Sequence, residues 1–320
     1  MNPLGGGAAR RGRSGRAAKQ PVDPWRPLGW SWEEERIPGD RLLRVLTVFL
    51  AGAECRFACV FCDLWQHTLD GATPAGAVPT QLRAALRAAG PVPAGAAIKL
   101  YNASNFFDRR AVPPVDDPAI AEIVAPFERV TVECHPRLVG PRCIEFARRV
   151  PGQLEIGMGL ETIHPEALPR LNKGMTLADF DRAAGRLRSA GIAIRAFVLL
   201  SAPFVPPQEA VTWTVSSARY AIDHGATHVS LIPTRGGNGA LEAIAREGAF
   251  TPPSLAQLED ALDGAVGFGA GGAVVTADLW DVDRLASCAD CYLPRVNRLA
   301  RLNLTGRPEP RVQCATCQER

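Results

Sequence analysis

The 320-residue chain contains no run of eighteen or more apolar residues, and its N-terminus lacks the apolar centre of an export signal. Both absences argue against a membrane-spanning helix and against secretion, so a cytoplasmic protein is the expectation. Without export, the nine cysteines are expected to ligate metal rather than to pair as disulfides. Charge of one sign is also scarce: the formal excess is +3, too small to name a partner. Only residues 1–20 are one-sided, carrying Arg10, Arg11, Arg13, Arg16 and Lys19 with no acid. A Gly- and Ala-rich basic segment of this kind cannot build a core and reads as a disordered tail, either simply solvated or touching nucleic-acid phosphates. Gly236, Gly237 and Gly239 lack the strand-to-helix context of a phosphate cradle.

With 47% hydrophobic residues, the chain can bury one large core, or one core with a small appendage. Residues 21–40, rich in Pro and Trp (Trp25, Trp30, Trp32) and then acidic, read as a lead-in packed on the outside of the main domain. Apolar, β-branched runs at 41–50, 97–101, 129–134, 154–159, 192–200, 228–232 and 272–277 predict strands. Between them, 80–89, 120–127, 141–149, 177–190, 208–224 and 255–266 have helical spacing, with Gly191 and Gly225 as stop signals. Buried strands alternating with helices predict a parallel sheet with right-handed crossovers, and the fold expected is an α/β partial (β/α)6 barrel spanning 21–280. Ligands of such sheets bind at the carboxyl ends of the strands. Cys55, Asn102, Glu133, Glu161, Arg195 or the residues after it, and Pro233-Thr234 fall at or just beyond those ends.

The cysteines partition into groups. Cys55, Cys59 and Cys62 form a C-x-x-x-C-x-x-C loop straight after the first buried strand. Three thiolates on one tight loop can hold three irons of a [4Fe-4S] cluster and leave the fourth iron open for a ligand; a zinc site completed by a distant His is the plainer alternative. Cys288-x-x-Cys291 and Cys314-x-x-Cys317, with 22 residues between them, have nearly the spacing of a zinc ribbon. Their four thiolates would close a structural zinc site, or hold an auxiliary iron-sulfur cluster, in a C-terminal extension over 281–320. Arg295, Arg298, Arg301, Arg307 and Arg311 lie between the pairs, available either to RNA phosphates or to solvent.

The three-cysteine loop, with Phe61 just before its last cysteine, resembles the radical S-adenosylmethionine (SAM) superfamily. Glu133-Cys134-His135-Pro136, Gly159-Leu160-Glu161-Thr162 and Leu171-Asn172-Lys173-Gly174-Met175-Thr176 are similar to signatures of its Elp3-like and MiaB-like branch. Four further segments resemble the RaSEA family, the radical SAM partner in archaeosine synthesis on tRNA: 98–108, 199–204, 230–242 and the late cysteine pairs. The resemblance implies that Cys55, Cys59 and Cys62 ligate the cluster, and that the open iron chelates SAM and cleaves it reductively to a 5'-deoxyadenosyl radical. It further implies an external electron donor of the flavodoxin or ferredoxin type.

By the same resemblance Glu161 meets the ribose hydroxyls or ammonium of SAM; Arg195, alternating within a strand, meets its carboxylate or else forms a structural salt bridge; and Asn102, Ser104 and Asn105 occupy the turn where relatives carry amine-binding glycines, which this chain lacks. Glu133 holds a polar part of SAM or substrate or else pairs structurally with an arginine, and Cys134 is a candidate hydrogen donor if it faces the rim, otherwise a buried small hydrophobe. Lys173 reads as solvated. The expected reaction is hydrogen abstraction from a modified tRNA base, with a small molecule or natural product as the rival substrate. A non-catalytic, zinc-bound nucleic-acid scaffold is the reading from another class.

Overall fold

In a computed structural model, described here over residues 19–268 and 272–317, the chain forms one eight-stranded sheet in sequential order, flanked by helices. Arg10, Arg11, Arg13 and Arg16 of the basic tail lie outside the described residues. Lys19 lies within them and its Nζ sits 2.8 Å from Glu54.

The strands are β1 (Gly29–Ile37), β2 (Arg41–Leu50), β3 (Ala97–Asn102), β4 (Arg129–Glu133), β5 (Gln153–Glu161), β6 (Ala193–Leu200), β7 (His228–Pro233) and β8 (Val274–Ala277). From β2 to β8 every neighbouring pair is parallel. Crossovers run through helices α1 (Ala77–Ala89), α2 (Asp117–Val124), α3 (Pro141–Arg149), the single turn α4 (Ala167–Arg170), α5 (Leu177–Ser189), α6 (Ala210–Asp223), α7 (Ala240–Arg246) and α8 (Leu255–Val266). A last helix, α9 (Ala289–Thr305), follows β8. Thr176 and Ser254 open α5 and α8 with reciprocal capping boxes, and Gly191 follows α5 at φ +69°, a conformation a side chain would strain. The core lies between the sheet and these helices, with Leu46, Ile98, Val130, Ile156, Ile194, Val229 and Val275 fully buried from successive strands. Among the described residues no helix is long and apolar enough to cross a membrane.

The partial barrel expected from the sequence is present. Its parallel part runs to seven strands, and residues 29–37, expected outside the domain, are instead an eighth strand paired antiparallel to β2. The reason lies on the inner face of β1. Its acids Glu33 and Glu35 answer cations that the other strands carry into the barrel. In register, Thr47 lies beside Lys99, Lys99 beside Thr131, and Thr131 beside Glu155. Lys99 Nζ binds Glu33 at 2.8 Å and also Glu35. Arg195 reaches Glu155 at 2.8 Å and clasps Glu35, while Arg129 and Thr131 both meet Glu155 at 2.9 Å. His228 accepts from Arg195 at 3.3 Å, since a guanidinium can only donate. Burial alone would raise the Glu155 carboxyl, but Arg195 and Arg129 overrule it and hold it at about 2. An ionic layer, buried except at Glu33 and paired except at His228 Nδ1, fills the amino-terminal half of the barrel.

Candidate functional site at the carboxyl rim

The cysteine loop leaves β2 through Ala51 and Gly52 and is pinned from two sides. Val60 N–H donates to Leu171 O at 3.0 Å, and Asn172 Nδ2 to Ala58 O at 2.6 Å. From the far side, buried Asn238 donates to Val60 O at 2.8 Å and Cys62 O at 3.3 Å. The 171–174 and 236–239 loops thus form the walls of the cysteine loop. Asn238 is a positioning residue that the sequence signalled only through the Gly-Asn-Gly turn around it.

Lys173 departs most from expectation. It is 7% exposed and ion-paired to Glu161, Nζ to Oε1 2.7 Å. Its charge bears on Cys59 and Cys55. Glu161 ends β5 at a register irregularity and at φ +66°, an uncommon conformation for a residue other than glycine. Gly159 makes room for the pair, because a Cβ there would lie 2.0 Å from Glu161 Oε1 and 2.6 Å from Lys173 Nζ.

Asn105 occupies the next position around the rim. Its Oδ1 accepts from His135 N–H at 2.6 Å and its Nδ2 donates to Cys55 Sγ at 3.1 Å, so both ends of the amide are committed to protein. His135 stacks on Phe57 of the cysteine loop at 3.7 Å. Its Nδ1 accepts from Arg137 N–H at 3.1 Å, which leaves Nε2–H to donate to Lys173 O at 3.0 Å. Burial and the Lys173 cation push His135 down to about 3, keeping it in this neutral tautomer. Asn102 and Ser104 differ from Asn105: both polar atoms of the Asn102 amide and the Ser104 hydroxyl are buried without a protein partner, as is Thr234 Oγ1 after β7. Beside them Glu133 is half-buried, and desolvation, with Glu161 adding, pushes its carboxyl up to about 8 despite Lys173.

Two expected residues fall elsewhere. Arg195, the expected partner of the SAM carboxylate, is third in β6 and spends its guanidinium on Glu155 and Glu35 in the ionic layer. Cys134 follows Glu133 in the chain and therefore takes the opposite face. It is 2% exposed in the same core cluster as Cys143 and Phe146 of α3, outside the barrel wall rather than at the rim. The arginines between the late cysteine pairs are also mostly spent. Arg295 and Arg298 are buried against Glu259 and Asp263 of α8, Arg311 binds Asp260 and Asp263, and Arg301 binds Glu309. Arg307 alone of the five keeps no acidic partner among the described residues.

The residues present fit a cluster with an iron-bound ligand. Burial pushes the Cys59 thiol up to about 12 and raises Cys55 and Cys62 as well, so they require adjacent metal charge to exist as thiolates. The unpartnered Asn102, Ser104 and Thr234 groups lie at the strand ends around that loop, and a buried polar group is rarely left unpaired without a ligand to answer it.

No family model matches the chain. It is 25% identical to the archaeosine synthase subunit beta of Methanosarcina acetivorans over 70% of this chain and 68% of that protein. It is 30% identical to the protein of the same name from Thermococcus kodakarensis over 36% and 37% of the two chains. An uncharacterized protein of Methanocaldococcus jannaschii is 26% identical over 49% of this chain, which covers 45%, under half, of that relative. Among solved structures, Methanocaldococcus infernus Elp3 aligns with TM-score 0.49 at 11% identity, over 63% of this chain and 51% of that one. Escherichia coli coproporphyrinogen III oxidase, described as a radical SAM enzyme, aligns with TM-score 0.45 at 14% identity, over 82% and 55%.

The chain, which holds a three-cysteine loop at the carboxyl rim of a parallel barrel, is thus similar in sequence to the proteins named archaeosine synthase subunit beta.

Proposed function

We propose that the protein binds SAM at a [4Fe-4S] cluster held by Cys55, Cys59 and Cys62, cleaves it reductively and abstracts hydrogen from a substrate carbon. The observation that carries this reading is the convergence of buried, unpartnered polar groups on the rim that holds the three thiols. When bound, the cluster supplies the electron that splits SAM. The chain's own residues do the rest. Asn102 and Ser104 offer acceptor and donor atoms to the amino-acid end of SAM. The Glu161 carboxylate, held by Lys173, offers an acceptor to its ribose or ammonium. Asn105 donates a hydrogen bond to the Cys55 sulfur, the kind of contact that tunes a cluster's potential. Glu133, protonated at neutral pH, lines the rim as a neutral acid able to donate a hydrogen bond to SAM or substrate.

The substrate class suggested by the relatives' name is a modified base in tRNA, with a flavodoxin- or ferredoxin-type protein as electron donor. A specific observation favours a second reading, a small molecule. Four of the five arginines that stood ready for RNA phosphates are paired within the protein.

The test is anaerobic purification with iron reconstitution, then incubation with SAM and a strong reductant, with and without unfractionated tRNA. Formation of 5'-deoxyadenosine by the wild type and not by Cys59→Ala is the expected result. Stimulation by tRNA supports the first substrate class. A chain that takes up no iron at Cys55, Cys59 and Cys62 overturns the reading.

A further inference from the structure

The chain gathers thiols at a second place, around the start of α9. Cys288 and Cys314 sulfurs lie 3.9 Å apart and those of Cys291 and Cys317 3.7 Å apart, and all four are within 4.8 Å of one another. A tetrahedron of sulfurs about 2.3 Å from one central ion has edges of roughly 3.8 Å. A [4Fe-4S] cluster places each thiolate on a different iron and a [2Fe-2S] cluster places them in pairs on two irons, and either spreads the four sulfurs further. The chain provides its own contrast: among the described residues the late cysteines form the single group this tight, and Cys55, Cys59 and Cys62 do not.

The gathering is built by the surrounding residues. Cys288 is the residue that caps α9, and Cys291 lies buried in its first turn. Gly306, at φ +64°, ends the helix and sends the chain back along it. Buried Arg298 holds that return segment by donating to Glu309 O at 2.6 Å and Pro310 O at 3.0 Å. Thr316 Oγ1 then binds Asp290 at 2.7 Å, joining one cysteine pair to the other. Arg295 lies against Cys291 Sγ at 3.9 Å while bound to Glu259 of α8, so the site is tied to the barrel's outer layer.

The place of α9 gives the ion a task. β1 and β8 are the two edges of the sheet, and α9 packs against both. Asn303 presents its amide to the β8 edge as a strand would, accepting from Ala277 N–H and donating to Ala277 O, each at 2.8 Å. Arg36 of β1 donates to the Asn303 carbonyl at 3.4 Å. The helix that closes this seam carries Pro294 in its interior, which removes one of its hydrogen bonds and weakens it as a free-standing element.

We propose that Cys288, Cys291, Cys314 and Cys317 hold a single zinc ion as a closed four-thiolate tetrahedron, and that this ion latches α9 across the seam between β1 and β8. Four thiolates leave no open position for substrate, which makes the ion a fastening rather than a reaction centre. The proposal does not rest on the SAM reading.

The test uses the full-length protein as purified, together with a Cys55→Ser/Cys59→Ser/Cys62→Ser variant that isolates the second site. One zinc per chain by elemental analysis in both is expected. Replacement by cobalt is expected to give the visible bands of a four-thiolate tetrahedron. Cys314→Ser/Cys317→Ser is expected to lose the zinc and to speed hydrogen exchange at the Ala277 amide about tenfold, the loss of local protection at one hydrogen bond. Asn303→Ala should speed the same exchange while keeping the zinc. Four irons with sulfide in the triple variant, or no metal in the wild type, overturn the single-ion assignment, and these need no mutant of the late cysteines to fold. Ala277 exchange unchanged on loss of the zinc overturns the latch.

Discussion

Arg195→Met separates the two roles that Arg195 can have. In the barrel's amino half the acids Glu33, Glu35 and Glu155 face the cations Lys99, Arg129 and Arg195. Removing Arg195 leaves that layer one positive charge short, and the loss falls on Glu155, whose side chain is 1% exposed. Breaking a buried pair costs about 3–5 kcal/mol when the remaining charge is left uncompensated; Arg129 still meets Glu155 and Lys99 still meets Glu35, so about half of that, ~2 kcal/mol, is expected. At roughly 2–4 °C per kcal/mol, the melting midpoint should fall by about 4–8 °C. The assay is thermal unfolding followed by circular dichroism, with calorimetric titration of SAM into the reconstituted protein well below the midpoint. Adding Glu155→Gln removes the surplus negative charge and should recover part of the loss. A variant with a wild-type midpoint and lost SAM binding would refute the structural role and return Arg195 to the SAM carboxylate.

Gly159→Ala places a methyl on the Glu161–Lys173 ion pair, well inside contact distance of both side chains; SAM affinity of the reconstituted protein should fall about tenfold or more for the loss of one charged contact. Unchanged affinity would remove the pair from the SAM site. In acid, Glu155 contributes stability that is complete above its unfolded value near 4.5 and is lost as pH falls towards about 2. The shift corresponds to about 3 kcal/mol, so urea unfolding midpoints should drop between pH 4 and 2 in the wild type and drop less in Glu155→Gln.

Much of the rim could be read from the sequence because strand ends are local features. Each parallel strand was marked by an apolar run, and Asn102, Glu133 and Glu161 are the last residues of β3, β4 and β5, so placing them at the carboxyl edge required only the strand boundaries. Depth in the barrel was equally available for Arg195, which lies five residues before the end of β6. At about 3.3 Å per residue it sits roughly 16 Å below the rim. A side chain placed so low meets the far end of the barrel, not a ligand at its mouth.

What could not be read is pairing across the barrel. Glu33 and Glu35 interrupt the apolar alternation of β1, and the segment looked like a solvated lead-in because nothing local reveals that Lys99 and Arg195, 64 and 160 residues away, need those acids. Lys173 has the same history. An isolated lysine in a loop reads as exposed until Glu161, turned inward at a positive φ, provides the charge that lets it be buried. The two ends of one barrel therefore follow opposite rules. In the amino half nearly every buried charge has a protein partner, and its removal should register as lost stability. At the rim Asn102, Ser104 and Thr234 lack partners, and their removal should register as lost binding with the fold intact.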